Sequence, residues 1–391
     1  MDNVIFIISK DALSKEALPI YKNKYWKTPN IDELAKKGTV FTKYYAAAGS
    51  TWMAMSAMMA QRYTYQFENR KTYTQVPQGE YPSIFDRLHS EGWECHVIWN
   101  WDWHRDADRY SGEFGSDGKT VFHDLDVAQP CGSHRKNYRK EIKRDDELLA
   151  KSLEKIYAEI DSIDYSKKQF VFMHLPHVIL GRRCYMDDID VHDEIVGYIR
   201  EKVGDDSIYI TSDHGHMNLH KGITGYGFDL FEPIINIPLI TPRINNLQTC
   251  DALLSEINLW DIVLDKKIPQ NDYVLCDTAY YAQPQRKLAV ITSKYKYVFT
   301  KERNHEALYD LDWDSDENFN ILEKYKYDED RGSWVTINEL YFYPYNEQAF
   351  EEAEKLRKIK DDIWREPEFI EGLLIKMRRK TSLLLKKLGL R

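Results

Sequence analysis

The chain has 391 residues, of which 43% are hydrophobic and 30% are charged. This length and composition allow a large globular domain with a smaller appended one, and they exclude a small disulfide-stapled scaffold. The net charge of -9 argues against a general nucleic-acid binder, because the neutralisation of phosphates needs a basic surface. We therefore expect no nucleic-acid partner.

The cysteines and the first residues bear on the compartment. The cysteine count is odd, and the five residues lie far apart with no pairwise metal spacing. The apolar stretch at residues 4–8 is too short for a signal peptide, and no segment has the length of a membrane span. We expect a cytoplasmic protein with reduced thiols, namely Cys95, Cys131, Cys184, Cys250 and Cys276.

The first elements alternate between strand and helix. The apolar run at residues 4–8 predicts a buried parallel strand that begins the sheet. Residues 29–38 predict a helix, with proline near its start and glycine at its end. A short strand is expected at residues 40–42. Residues 51–60, rich in methionine and alanine, then predict a buried helix.

The same alternation continues through the middle of the chain. Helices are predicted around residues 84–92, 145–160 and 189–202, and strands at residues 95–99, 170–174 and 207–212. Strands that alternate with helices indicate an α/β fold, because the connecting helices must cover both faces of the sheet. We therefore predict a mostly parallel central sheet with helices on both faces.

The last part of the chain has a different organisation. We place a catalytic domain at residues 1–280, a smaller C-terminal α+β subdomain at residues 281–348 and a charged helical tail at residues 349–391. Basic residues beside leucines in the tail are typical of a helix that touches an anionic membrane surface. Packing of the tail on its own domain is the alternative that we favour. The sequence predicts no oligomeric state.

One strand ends on residues that suit a metal. Residues 208–212 lead into Asp213, His214 and Gly215. In open α/β sheets, ligands gather beyond the carboxyl ends of strands, where Asp and His offer an oxygen and an imidazole to a divalent cation. A plain turn with a capping aspartate is the alternative.

Several segments, taken in order, resemble the sulfatase-like branch of the alkaline phosphatase superfamily over most of residues 3–325. The likeness begins with the strand that ends at Asp11 and with residues 28–42, which lead into the nucleophile segment. Its remaining parts are His177 with the helix of Asp193 and Gly197, residues 212–215 with His220 and residues 237–240, and residues 295–297 and 308–311 with Asn318.

Two departures from the family pattern narrow the chemistry. The segment at residues 51–55 lacks the cysteine, proline and arginine of true sulfatases, so no formylglycine is expected. Ala12 stands where sulfatases have a second aspartate. The remaining set, Asp11, Thr51, Asp213 and His214, resembles the single-metal site of the family's phosphoryl-transfer members, which use an unmodified threonine.

The resemblance implies one divalent metal ion, with Mn²⁺ favoured and Zn²⁺, Mg²⁺ or Ca²⁺ as alternatives. A metal would lower the pKa of the Thr51 hydroxyl, and a helix N-terminus would stabilise an anionic tetrahedral centre. Ser50 is the alternative nucleophile and, with Lys10, a predicted substrate contact. We expect His177 and His220 to protonate the leaving oxygen or to bind the transferred group.

The predicted activity is that of a metal-dependent hydrolase or transferase. Its substrate would be a phosphate, phosphonate or sulfate ester of a small molecule or glycan, in surface-glycan metabolism, with water or a sugar hydroxyl as the acceptor. The alternative is a degenerate relative that keeps the fold and serves as a binding or scaffold protein. A bound metal ion distinguishes the two hypotheses.

Overall fold

The computed structural model describes residues 3–21, 26–66, 82–100, 114–128, 144–278, 286–323, 325–328, 333–336 and 347–363. Its strands are, in chain order, β1 (Val4–Lys10), β2 (Thr39–Phe41), β3 (Tyr44–Tyr45), β4 (Glu94–Trp99), β5 (Val121–Asp124), β6 (Gln169–Leu175), β7 (Ile208–Thr211), β8 (Met217–Asn218), β9 (Thr224–Gly225), β10 (Leu239–Thr241), β11 (Thr249–Cys250), β12 (Leu254–Ser255), β13 (Val274–Asp277), β14 (Lys287–Ile291), β15 (Tyr295–Thr300), β16 (His305–Asp310), β17 (Tyr325–Asp328) and β18 (Ser333–Thr336).

The helices agree closely with the sequence periodicity. They are α1 (Pro29–Lys37), α2 (Thr51–Ala60), α3 (Ile84–Ser90), α4 (Asp146–Asp161), α5 (Ile189–Val203), α6 (Glu232–Ile235), α7 (Leu259–Val263) and α8 (Glu347–Ile363). Local chemistry accounts for several ends. The Asp145 carboxylate accepts a hydrogen bond from the Leu148 N–H at the start of α4, as an N-cap residue does.

The central sheet has the predicted α/β architecture. Its eight strands run in the order β11-β2-β10-β7-β1-β6-β4-β5. The pairing is parallel except at β10, which is antiparallel to both β2 and β7. The prediction of a mostly parallel sheet is therefore confirmed.

Helices cover both faces of this sheet and form two cores. On one face α1, α4 and α5 bury side chains such as Ile31, Ile156 and Ile195. On the other face α2, α3 and α7 contribute Met58, Phe85 and Trp260. Burial on both sides explains why the inner strands β1, β6 and β7 are mostly apolar and buried rather than alternating, whereas the edge strand β5 is largely exposed.

The segment that begins α1 is fixed by α5. The Asp193 carboxylate accepts hydrogen bonds from the backbone N–H groups of Asn30 and Ile31. Gly197 allows α1 and α5 to approach closely, since a Cβ there would lie 2.7 Å from the side-chain nitrogen Nδ2 of Asn30. These contacts join two of the segments on which the family resemblance rests.

A second, antiparallel sheet forms the C-terminal part. It has the order β13-β14-β15-β16, and β13 begins at Val274, inside the segment predicted as the first domain. Side chains of α8 such as Leu356 join the core beneath this sheet. Cys131 and residues 364–391, including the predicted membrane-contacting part of the tail, lie outside the described residues.

Two further observations concern the expected compartment. Within the described ranges, no helix is both long and apolar enough to cross a membrane. The four cysteines of these ranges, Cys95, Cys184, Cys250 and Cys276, carry free thiols. The cytoplasmic location stays a prediction.

Candidate metal and catalytic site

The candidate site lies where two neighbouring parallel strands end. Asp11 directly follows β1, while Asp213 and His214 follow β7 after one intervening residue. Strands β1 and β7 are paired, with Ser9 opposite Thr211, so their carboxyl ends meet at one edge of the sheet. Thr51, the first residue of α2, completes the group.

Close contacts join these four residues. The Thr51 hydroxyl oxygen lies 3.1 Å from Nε2 of His214. The same Nε2 lies 3.4 Å from Oδ2 of Asp213 and 3.7 Å from Oδ1 of Asp11. Ligand atoms of the two aspartates and His214 all lie within 4.8 Å of one another. The structure thus brings together all four residues that the resemblance singled out as a ligand set.

The donor atoms are left available for a cation. Oδ1 of Asp11 and Oδ2 of Asp213 are buried and have no hydrogen-bond partner among the described residues. Nδ1 of His214 lies 3.0 Å from the Gly215 carbonyl oxygen. Because a carbonyl only accepts, Nδ1 carries a proton, and Nε2 of the neutral ring presents a lone pair. Two carboxylate oxygens, an imidazole nitrogen and a hydroxyl therefore fit a divalent ion.

The protonation of the aspartates supports this fit. Burial and the neighbouring Asp213 carboxylate raise the pKa of Asp11 to about 7. Burial also opposes ionisation of Asp213, but His214, His174 and the Ala12 N–H outweigh it and lower the pKa of Asp213. Like charges held together in a buried site repel, so a bound cation would favour ionisation of both carboxyl groups.

Glycine is required beside these ligands. A Cβ on Gly215 would lie 2.1 Å from the Pro233 carbonyl oxygen. The Gly215 N–H donates to the Ile234 carbonyl at 2.6 Å, so the chain passes directly against α6. The Asp-His-Gly order thus has a steric reason for its third residue, and the packing holds His214 in place.

An aromatic cluster lines one side of the site. The ring of His177 stacks on Tyr185 and lies 5.1 Å from His216, while the ring of His214 lies 4.4 Å from Tyr226. Burial lowers the pKa of His216 to about 4 and holds the pKa of His177 well below its usual value. His177 is therefore a neutral imidazole at neutral pH. Neither Tyr185 nor Tyr226 was predicted from the sequence as a site residue, because no motif marks them.

Two predicted substrate contacts occupy different environments. Lys10 is fully buried, and its Nζ lies 2.6 Å from the Asp188 carboxylate and donates to the carbonyls of Pro176 and His177. We therefore correct its role from an anion contact to a positioning residue for the His177 segment. The Ser50 hydroxyl is buried and has no partner in the described residues. Since Thr51, not Ser50, contacts His214, the geometry favours Thr51 as the metal-bound hydroxyl.

His220 lies apart from the ligand set. Its Nδ1 is 3.9 Å from a carboxylate oxygen of Glu16, and within the described chain it forms no hydrogen bond with the four candidate ligands. Two arginines that follow His177 in the sequence are engaged with carboxylates outside the ligand set. Arg182 pairs with Asp190, and Arg183 pairs with Asp187.

Comparisons with known proteins agree with the fold. A sulfatase family model matches residues 2–178. A putative sulfatase from Bacteroides thetaiotaomicron is similar, with a TM-score of 0.67 at 14% identity over 92% of each chain. Phosphonate monoester hydrolase of Agrobacterium radiobacter has a TM-score of 0.62 at 14% identity, over 93% of this chain and 96% of that one. The corresponding enzyme from Silicibacter pomeroyi has a TM-score of 0.57 at 13% identity, over 79% and 89%. No curated protein matches the sequence.

Proposed function

We propose that this chain belongs to the sulfatase-like branch of the alkaline phosphatase superfamily, which the sulfatase family match and the shared fold support, and that it is a metal-dependent enzyme that cleaves or transfers a phosphoryl-type ester through Thr51. The observation that carries the proposal is the convergence of Asp11, Thr51, Asp213 and His214, with two buried carboxylate oxygens left without partners. A threonine in place of the formylglycine precursor favours phosphate and phosphonate esters over sulfate esters.

The residues present define the role of each group. Asp11, Asp213 and His214 would hold one divalent ion, which when bound supplies a Lewis acid and lowers the pKa of the Thr51 hydroxyl. The Thr51 hydroxyl gives its proton to water as its oxygen attacks phosphorus, the bond from phosphorus to the leaving oxygen breaks, and the leaving oxygen takes up a proton from water. Water or a substrate hydroxyl next attacks the phosphothreonine, releases the phosphoryl group and regenerates Thr51.

Two features of the chain stabilise the transferred group. The first backbone N–H groups of α2 and the positive end of its dipole lie beside Thr51, where they suit equatorial phosphoryl oxygens. His177 is half-buried and its pKa lies well below the usual value, so it donates a hydrogen bond to the transferred group as a neutral ring rather than acting as a strong acid. His220 lacks such a position and is not assigned a part in this step.

Metal analysis combined with turnover tests the proposal. The wild type is assayed with chromogenic phosphodiester, phosphonate, phosphomonoester and sulfate esters, with added Mn²⁺ or Zn²⁺. We expect about one metal ion per chain and phosphoryl-ester turnover that Thr51→Ala abolishes. Ser50→Ala is the matched control and should keep most of the activity, because Ser50 does not contact His214.

The outcomes separate the candidate functions. A folded wild type that binds no metal and turns over no ester would contradict the enzyme and favour the scaffold. Metal binding without hydrolysis of any ester would favour a transferase with a specific donor, and mass spectrometry for phosphothreonine at Thr51 would then identify the donor class.

A further inference from the structure

A pair of histidines lies on the outer part of the central sheet, away from the strand ends that carry the catalytic site. His96 belongs to β4 and His123 belongs to β5, the last strand of the sheet in the described part of the chain. His123 is opposite Ile98 in the pairing, so the two histidines are diagonal neighbours on one face. Strand β6 separates β4 from β1, and none of the four catalytic ligands belongs to β4, β5 or β6.

The two imidazoles and a glutamate form a chain of close contacts. Nδ1 of His96 lies 2.9 Å from Nε2 of His123. Nδ1 of His123 lies 2.8 Å from a carboxylate oxygen of Glu159 on α4. Because the carboxylate accepts, His123 Nδ1 carries the proton, and Nε2 of the neutral ring has a lone pair that points at His96.

The second ring nitrogen of His96, Nε2, lacks a hydrogen-bond partner in the described part of the chain, although His96 is only 6% exposed. The Gln169 side-chain oxygen, which is close enough to His96 to favour its protonation, also has no partner there. Glu94 stands next to both, with an oxygen 4.0 Å from the His96 Nε2. Most buried polar atoms in folded proteins have a hydrogen-bond partner, so two neighbouring atoms without one are unusual.

We propose that His96 Nδ1 and His123 Nε2 are the protein ligands of a second divalent transition-metal site, suited to Zn²⁺. Tetrahedral zinc with Zn–N bonds of about 2.0–2.1 Å places two nitrogens roughly 3.3 Å apart. The observed 2.9 Å therefore needs to open by only a few tenths of an ångström.

A metal at this position would also resolve the unsatisfied atoms. With Nδ1 of His96 bound to metal, its proton moves to Nε2, where the Gln169 oxygen can accept it. Glu159 already occupies the position of the carboxylate that typically accepts from the other ring nitrogen of a metal-bound histidine. Burial and His123 lower the pKa of His96, so the ring is neutral, as a ligand must be.

The charge balance is also favourable. Glu159 and Glu94 bring two negative charges to the pair, and Lys167 is 3.8 Å from Glu94 on its outer side. Two imidazoles select Zn²⁺, Cu²⁺ or Ni²⁺ over Mg²⁺ or Ca²⁺. Water would complete the coordination, so binding should be weaker than at a structural zinc site with four protein ligands.

Calorimetric titration of the metal-free chain with Zn²⁺ tests the site without an activity assay. We expect two equivalents in the wild type, one at the catalytic site and one at the histidine pair. His123→Ala should lose one equivalent and Asp213→Asn the other. His305→Ala should keep both, because His305 also contacts a glutamate, Glu323, but no second imidazole of the described residues pairs with it.

Nitrogen-15 spectra of the wild-type histidines provide a test that does not depend on a variant folding. Addition of Zn²⁺ should shift Nδ1 of His96 and Nε2 of His123 and move the His96 proton to Nε2. A wild type that binds only one Zn²⁺ equivalent, with that equivalent kept in His123→Ala, would overturn the proposal, and so would two equivalents in His123→Ala. A wild type whose only equivalent is lost in His123→Ala and kept in Asp213→Asn would count against the proposed function and leave the histidine site standing.

Discussion

Two buried carboxylate pairs in this chain differ in where their cation comes from. At the strand ends, Asp11 and Asp213 share a site with His214, and no lysine of the described residues forms an ion pair with either carboxylate. Between α6 and the C-terminal sheet, Glu232 and Glu317 both contact the ammonium of Lys296, at 3.0 and 2.5 Å. The second pair has its own cation, whereas the first pair could take one from solution, as the proposed function requires.

The two pairs titrate in parallel. Burial raises the pKa of both Glu317 and Asp11 to about 7, while the partner carboxyl has a lowered pKa in each pair. The single ammonium of Lys296 thus keeps only one of the two neighbouring carboxyl groups fully ionised. The lysine next in sequence to Asp11, Lys10, forms its ion pair with Asp188, so its charge only partly offsets the raised pKa of Asp11. A pair of neighbouring carboxylates is therefore structural where Lys296 lies between them, and suited to metal binding at the strand ends, where no such ammonium lies among the described residues.

The largest effect is expected from Asp11→Asn. The change removes an anionic ligand, so we expect metal-dependent turnover to fall by about 10³-fold or more. In the metal-free protein at pH 8 it also removes repulsion with Asp213, so stability to urea should be unchanged or higher. Full activity, or a loss of folding in the metal-free variant, would contradict the assignment of Asp11 as a ligand.

The second effect concerns the pair that has its own cation. Lys296→Met leaves Glu232 and Glu317 buried without an ammonium, and we expect the free energy of unfolding to fall by about 3 kcal/mol. Urea denaturation measures this loss. The double variant Lys296→Met, Glu317→Gln should recover part of it, because only one carboxylate then remains unpaired. Equal losses in the single and double variants would show that the ammonium does not balance both acids.

A smaller effect is expected on the pH dependence of stability. The folded pKa of Glu317 is about 7, above its usual 4.5, so the folded state binds more protons than the unfolded state between these values. Stability should therefore fall as pH rises from about 4.5 to 7, by about 2 kcal/mol from this group. Glu317→Gln should remove that slope in urea unfolding at pH 5 and pH 7.5. If the pH dependence of the unfolding free energy is the same in Glu317→Gln as in the wild type, it arises from other titratable groups.

The smallest effect tests a single hydrogen bond to the same cluster. The Tyr45 hydroxyl donates to Glu232 at 3.3 Å. Tyr45→Phe should cost about 1 kcal/mol of unfolding free energy, since Lys296 and Asn236 still neutralise and bind Glu232. Ester turnover should be unchanged. A loss of turnover would indicate that the cluster and the catalytic site are coupled.

The fold was readable from the sequence to the extent that its signals are local. The apolar run before Asp11, the proline and glycine around α1, and the helix formers from Thr51 to Ala60 each produced the expected element. The antiparallel direction of β10 and the start of the second sheet at Val274 were not anticipated. Strand direction depends on which neighbours pair, and no residue in the strand itself encodes it.

The sequence by itself identified the candidate ligands Asp11, Asp213 and His214. Each of them closely follows a buried strand, and ligands gather at the carboxyl ends of such strands. Only the tertiary structure decided which side chains face the site. It directed Lys10 to Asp188, placed Thr51 rather than Ser50 against His214, and set His220 beside Glu16. It also brought His96 to His123 from two strands with no shared motif. These contacts join residues far apart in the chain, and the packing of strands and helices that creates them leaves no local trace in the sequence.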